Sequence, residues 1–230
     1  MLTRVVFAAL VAGLLAGVFA TAAQSVLVVP LILQAETYEE AAAHSHGEVA
    51  HEAEAWAPRD GWQRTFFTLI SNMVVGAAFS LLLTAAILLS NSAISLQSGL
   101  AWGAGGFAVF VLAPNFGLPP ELPGMPAADL VNRQVWWFDT VVLTAGGLLI
   151  FAFRRSIPWM LAGLALVVAP HVYGAPRPPM EETKVPAALA ADFVIATVVT
   201  SALFWLVLGG LLGHFLGRVI TPEKSAAHHD

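Results

Sequence analysis

The sequence predicts an all-α fold, a polytopic transmembrane helix bundle of about six spans with five possible, and two observations carry that prediction. First, 58% of the 230 residues are hydrophobic and only 11% are charged, with a mean hydropathy of +0.77. That is more apolar surface than one soluble core of this size can hide. Second, the apolar residues fall into runs close to the roughly 20 residues that a helix rising about 1.5 Å per residue needs to cross the hydrocarbon.

The first run, residues 5–23, follows Arg4 and ends in Ala20-Thr21-Ala22-Ala23, a small-residue ending that a cleavable leader would also show. Apolar character resumes at once in Val26-Leu27-Val28-Val29-Pro30-Leu31-Ile32-Leu33, so a retained first helix within residues 1–33 is expected over a removed leader. Composition then changes abruptly, and residues 34–64 are expected to form a polar, Glu- and His-rich outer loop. Residues 65–217 make the rest of the bundle, with spans at about 65–89, 99–113, 135–153, 157–171 and 189–216, and residues 218–230 a cytoplasmic tail. The third and fifth runs are short. Pro114 ends the third, and Gly117-Leu118-Pro119-Pro120-Glu121-Leu122-Pro123-Gly124 is too rich in proline and glycine for helix. Arg154-Arg155 leaves almost no loop between the fourth and fifth runs, which should pair as a tight hairpin. Trp136 and Trp137 suit the headgroup level, where amphipathic rings collect.

Basic residues near span ends favour the cytoplasm. With the N terminus inside, Arg4, Arg154, Arg155, Arg218 and Lys224 lie inside and Arg59, Arg64, Arg133, Arg177 and Lys184 outside. The count is even, and the arginine pair in the tightest turn decides for this orientation. The acidic loop and both proline-rich loops then share the outer face.

Composition also excludes function classes. A net charge of −5 with scattered basic residues is unlike a nucleic-acid binder, and the absence of cysteine removes disulfides, thiolate metal sites and a cysteine nucleophile. No phosphate-binding loop, Gly-x-Ser-x-Gly elbow or His-Glu-x-x-His pair occurs, so no enzyme is expected.

If helix continues past the membrane, Glu36, Glu40, His44, Glu48 and Glu52 recur every fourth residue along one slowly turning face, flanked by Glu39 and His51, and His46 adds a further imidazole close to His44. Carboxylates and imidazoles without thiolates suit divalent ions of the cobalt, nickel and zinc type. The same residues would also serve as an ordinary solvated loop. Asp139, His171 and Asp192 are ionisable groups near the outer ends of apolar runs. Such groups are costly in hydrocarbon and mark a partner or a pathway, so the three are candidates for a cation entrance. The plainer alternatives are a helix-start charge for Asp192 and an ion pair with Arg133 for Asp139. Gly13 with Gly17, Gly99 with Gly103 on the third run, and Gly209, Gly213 and Gly217 on the last run have the four-residue spacing that lets helix backbones meet in lipid. They serve packing of the bundle itself or, alternatively, an oligomer.

Several segments are similar to the CbtA family of cobalt transporter subunits: residues 28–39, Leu112-Ala113-Pro114 with 117–124, Arg133-Gln134-Val135-Trp136-Trp137, Pro170-His171-Val172-Tyr173-Gly174-Ala175-Pro176 and Ala202-Leu203-Phe204-Trp205. The resemblance implies cobalt uptake across the bacterial inner membrane, alongside cobalamin synthesis, with a small single-span, His-bearing partner of the CbtB type. It also implies five spans, so the short third or fifth run is the one expected not to cross fully. The reading that follows is a metal permease subunit carrying divalent cobalt, or nickel, with no permanently bound cofactor. The rival is a non-transporting scaffold or metal sensor that binds ions through its outer loop.

Overall fold

In a computed structural model of the chain, the described residues are 1–46, 58–91, 93–180 and 183–226. Among them the regular structure is helical: α1 Leu2–Leu27, α2 Val29–His46, α3 Trp62–Leu89, α4 Leu96–Asn115, α5 Leu130–Phe153, α6 Ile157–Tyr173 and α7 Ala187–Ala226. Five helices are long and apolar enough to cross a membrane, namely α1, α3, α4, α5 and the Ala187–Ile220 part of α7. The third run is therefore longer than its sequence suggested, whereas α6, at 17 residues, reaches only about 25 Å, short of the roughly 30 Å hydrocarbon layer.

Proline explains two departures from simple helix. The first apolar run breaks at Val28 into α1 and α2, because Pro30 has no N–H to donate to the carbonyl four residues back and its ring crowds that turn. The carbonyl of Val28 then starts α2, accepting from the N–H groups of Leu31 and Ile32 at 3.1 and 3.2 Å. In α4 the turn Ala108–Leu112 widens to a π-helix, where the Ala113 N–H donates to the Ala108 carbonyl. The wide turn precedes Pro114 and accommodates a residue that cannot continue the ordinary ladder.

The helices divide into two compact units, one formed by residues 1–27, 58–91, 93–106 and 199–226, the other by 28–46, 107–180 and 183–198. In the first unit the small face of α1, with Ala9, Ala12 and Ala16 fully buried, lies against α3. A Cβ on Gly13 would stand 2.6 Å from the Cα of Ala77, and one on Gly17 would stand 2.7 Å from the Cα of Met73. Polar side chains lock the same seam. The Asn72 amide donates to Thr21 Oγ1 (3.0 Å) and Gln24 Oε1 (2.8 Å), and the Ser80 hydroxyl donates to the Ala9 carbonyl. In lipid these contacts replace the hydrophobic drive that helices lack there.

The other close seam of that unit joins α4 to α7. A Cβ on Gly99 would stand 2.7 Å from the Cα of Gly213, and one on Gly209 would stand 2.9 Å from the Cα of Gly103. Gly106 leaves room for the Trp205 ring, which is buried and stacks at a tilt on Phe79. Gly217 stands apart, since among the described residues a Cβ there would meet nothing nearer than Ile94 at 3.8 Å.

In the second unit α5 and α6 form a hairpin across the Arg154-Arg155 turn. Gly147 and Gly163 make its contact, the carbonyl of Gly163 lying 2.7 Å from where a Gly147 Cβ would be. The Asp129 side chain caps α5 by accepting from the Asn132 N–H at 3.0 Å.

Candidate functional site

The two proline-rich loops of the second unit are ordered by what they bury. Leu122 from the first loop and Val185 from the second pack with Val28 and Ala35 of α2 and with Leu189 and Phe193 of α7. This small core fixes the start of the polar helix. Gly124 turns the first loop with φ 76°, a value that favours glycine, and faces Glu39, whose Cβ lies 3.4 Å from where a Gly124 Cβ would be. The Thr183 hydroxyl donates to the Gly124 carbonyl at 2.9 Å and accepts from the Val185 N–H at 3.2 Å, so the second loop holds the first.

Along α2, Glu36 is half-buried and Glu39 exposed. The backbone stays helical through His46, so positions 36, 40 and 44 follow one another at about one turn, with His46 at the end of the helix. Glu48, His51 and Glu52 lie outside the described residues.

The second focus surrounds Trp136. Its indole N–H donates to the Pro170 carbonyl at 3.1 Å, which also accepts from the Gly174 N–H at the end of α6. Gly117 allows the indole to approach, since a Cβ there would stand 2.6 Å from Trp136 Cζ2 and 2.9 Å from the Ala175 Cβ. His171, half-buried, sets its ring edge-on to Phe116 and Trp136, with centroids 6.2 and 5.8 Å apart. Trp136 is therefore no headgroup anchor. It is 4% exposed and forms the centre of a packed cluster, while its neighbour Trp137 is 38% exposed. Replacing Trp136 with phenylalanine should keep the ring contacts and lose the hydrogen bond, costing about 1 kcal/mol. A lowered midpoint in thermal unfolding of the purified chain would register the loss, and an unchanged midpoint would show that the bond contributes nothing.

Asp139 and Asp192 are exposed on α5 and α7. The guanidinium of Arg133 pairs with Glu121 at 3.0 Å, which ties the start of α5 to the first proline-rich loop and replaces the expected Arg133–Asp139 pair. Tyr173, the last residue of α6, has its phenol raised above the ordinary value, by burial first and by the Asp139 carboxylate second. Among the described residues, no three or more His, Asp or Glu side chains come together in a way that could hold a metal ion. Asp139, His171 and Asp192 accordingly form no such group by themselves.

The glycines Gly147 and Gly163 and the buried role of Trp136 escaped the sequence reading. Gly147 and Gly163 lie on different helices, without the four-residue spacing that marks a packing stripe on one helix. The signal for Trp136 was Gly117 together with Pro170, a bare backbone position and an acceptor, distant in sequence and joined only by folding.

Among protein families, the chain matches the model described as a probable cobalt transporter subunit (CbtA), over residues 2–217. No curated protein and no solved structure matches it.

Proposed function

Because the chain belongs to the CbtA family of probable cobalt transporter subunits, we propose that it is the membrane subunit of a system that moves divalent cobalt across the bacterial inner membrane to supply cobalamin synthesis. The observation that carries this reading is the near-complete span of the family match, residues 2–217, over a chain with five helices able to cross a membrane. The transported ion is cobalt, with nickel as its nearest competitor, since carboxylate and imidazole donors bind both and the general affinity order separates them only modestly.

In this reading the polar end of α2 collects ions. Glu36, Glu39, Glu40, His44 and His46, with Glu48 and His51 beyond them, raise the local concentration of divalent cations. Asp139, His171 and Asp192 mark the entrance. Because these three form no three-donor group among the described residues, a His-bearing single-span subunit of the CbtB type completes the coordination.

Uptake of radioactive cobalt into cells expressing the chain, with and without that subunit and with nickel and zinc as competitors, tests the proposal. Saturable, cobalt-preferring accumulation is expected with the partner present. Accumulation equal to that of empty cells in both cases, despite verified insertion, would overturn it. The His171 assignment has its own control. His171→Phe retains an aromatic ring against Phe116 and Trp136 and removes both nitrogens, so uptake should fall with it as with His171→Ala. Wild-type uptake by the phenylalanine variant would make His171 a packing residue.

The absence of a three-donor group among the described residues also favours a second reading, a scaffold or sensor that binds the ion and holds a partner without passing it. Such a chain binds cobalt and accumulates none.

A further inference from the structure

Within the first unit, a groove of about 500 Å³ runs between the first turns of α1 and the later part of α7. Its walls are apolar, formed by Phe7 and Val11 on one helix and Phe215 and Val219 on the other, and Thr3, Arg4 and Arg218 also line it. The volume lies within the range of about 300–1,000 Å³ usual for ligand sites. Phe7 is 68% exposed.

Two features say what fills it. The first is charge. Among the described residues no carboxylate lines the groove and neither Arg4 nor Arg218 enters an ion pair, whereas Arg64 pairs with Asp60, Arg133 with Glu121, and Arg154 sits over the Trp159 ring. Two arginines that line one groove add their positive charges there, and a guanidinium's planar fork matches phosphate oxygens. The second is depth. The 26 residues of α1 extend about 39 Å, past the roughly 30 Å hydrocarbon layer, so the Arg4 end lies at headgroup level while Phe7 and Val11 descend toward the acyl chains.

We propose that this groove binds an anionic phospholipid, its phosphate held between Arg4 and Arg218 and an acyl chain lying along Phe7, Val11 and Phe215. A soluble anion has no use for the apolar walls, and an uncharged helix leaves both arginines without a counter-charge. Bound this way, one lipid ties the start of α1 to the later part of α7 and stabilises the unit that holds both. The site is independent of the transported ion.

Native mass spectrometry of the purified full chain, titrated with phosphatidylglycerol or phosphatidylcholine, tests the proposal. Phosphatidylglycerol should bind more tightly, and the double variant Arg4→Gln/Arg218→Gln should weaken it about thirty-fold, about fivefold for each arginine. The charge-matched control Arg154→Gln/Arg155→Gln should bind it as the parent does. If the double variant fails to insert, each single variant carries the test, with about fivefold weakening expected and parental affinity overturning the site. Equal binding of the two lipids, or parental affinity in the double variant, overturns the proposal. So does competition by inorganic phosphate at matched concentration, which would identify a free-anion site. A double variant that changes the mass of the assembly but keeps its lipid affinity would make the groove an interface between copies and overturn it too.

Discussion

Replacing Gly209 with alanine should destabilise the purified chain by about 3 kcal/mol, the upper end of what one added methyl costs in a packed interior. The reason is that the intruding atom meets backbone, which cannot turn aside. A Cβ at Gly209 would lie against the Gly99 carbonyl and 2.9 Å from the Gly103 Cα, so α4 and α7 must separate along the whole seam. Gly217→Ala is the internal control. It sits on the same helix at the same four-residue spacing, yet among the described residues its Cβ would meet only Ile94 at 3.8 Å, and its effect should stay within about 0.5 kcal/mol. Unfolding in detergent, followed by the loss of helical signal, measures both. Equal midpoints for the two variants would mean that the close approach of α4 and α7 contributes nothing to stability.

Removing the donors along α2 should produce the largest functional change. In the variant Glu36→Gln/Glu40→Gln/His44→Gln, cobalt uptake at limiting concentration should fall about tenfold, the lower end of what charge-based capture adds to encounter rates. The maximal rate at saturating cobalt should hold, because in the proposed role these residues collect the ion and do not pass it. The variant therefore raises the apparent KM and spares the maximal velocity. Increased salt should narrow the gap between variant and parent, since exposed charges are screened within about 8–10 Å at ordinary ionic strength. An unchanged KM would remove the collecting role from α2, and a loss of maximal rate alone would move these residues into the translocation path.

The spans were legible in the sequence because crossing a membrane is a local property, decided by the length and polarity of one segment. Even the break at Val28 was written there in Pro30, although reading residues 1–33 as one helix passed over it. The cap at Asp129 and the wide turn before Pro114 likewise depend on residues within a turn or two. The candidate site was legible in part. Glu36, Glu39, Asp139, His171 and Asp192 stand out by type alone, but type does not say which of them meet. His171 shows why. Its neighbours are Phe116 and Trp136, the second 35 positions away, and neither is a metal ligand.

By itself the sequence determined that this is a multi-pass helical membrane protein, where its apolar helices run, and its kinship with the cobalt transporter subunits, since each depends on composition, on short-range order or on motifs within single segments. Only the tertiary structure decided that Gly99 and Gly103 meet Gly209 and Gly213 within one chain, that Trp136 is buried against Pro170, and that Leu122 and Val185 join α2 in a core. It also decided that Arg133 takes Glu121 as its partner and that Arg4 and Arg218 line one groove. Each is a pairing between different segments of the chain, most of them far apart. Several packings offer a glycine, a tryptophan or an arginine the same local environment in sequence, and the choice among them rests on how whole helices fit together.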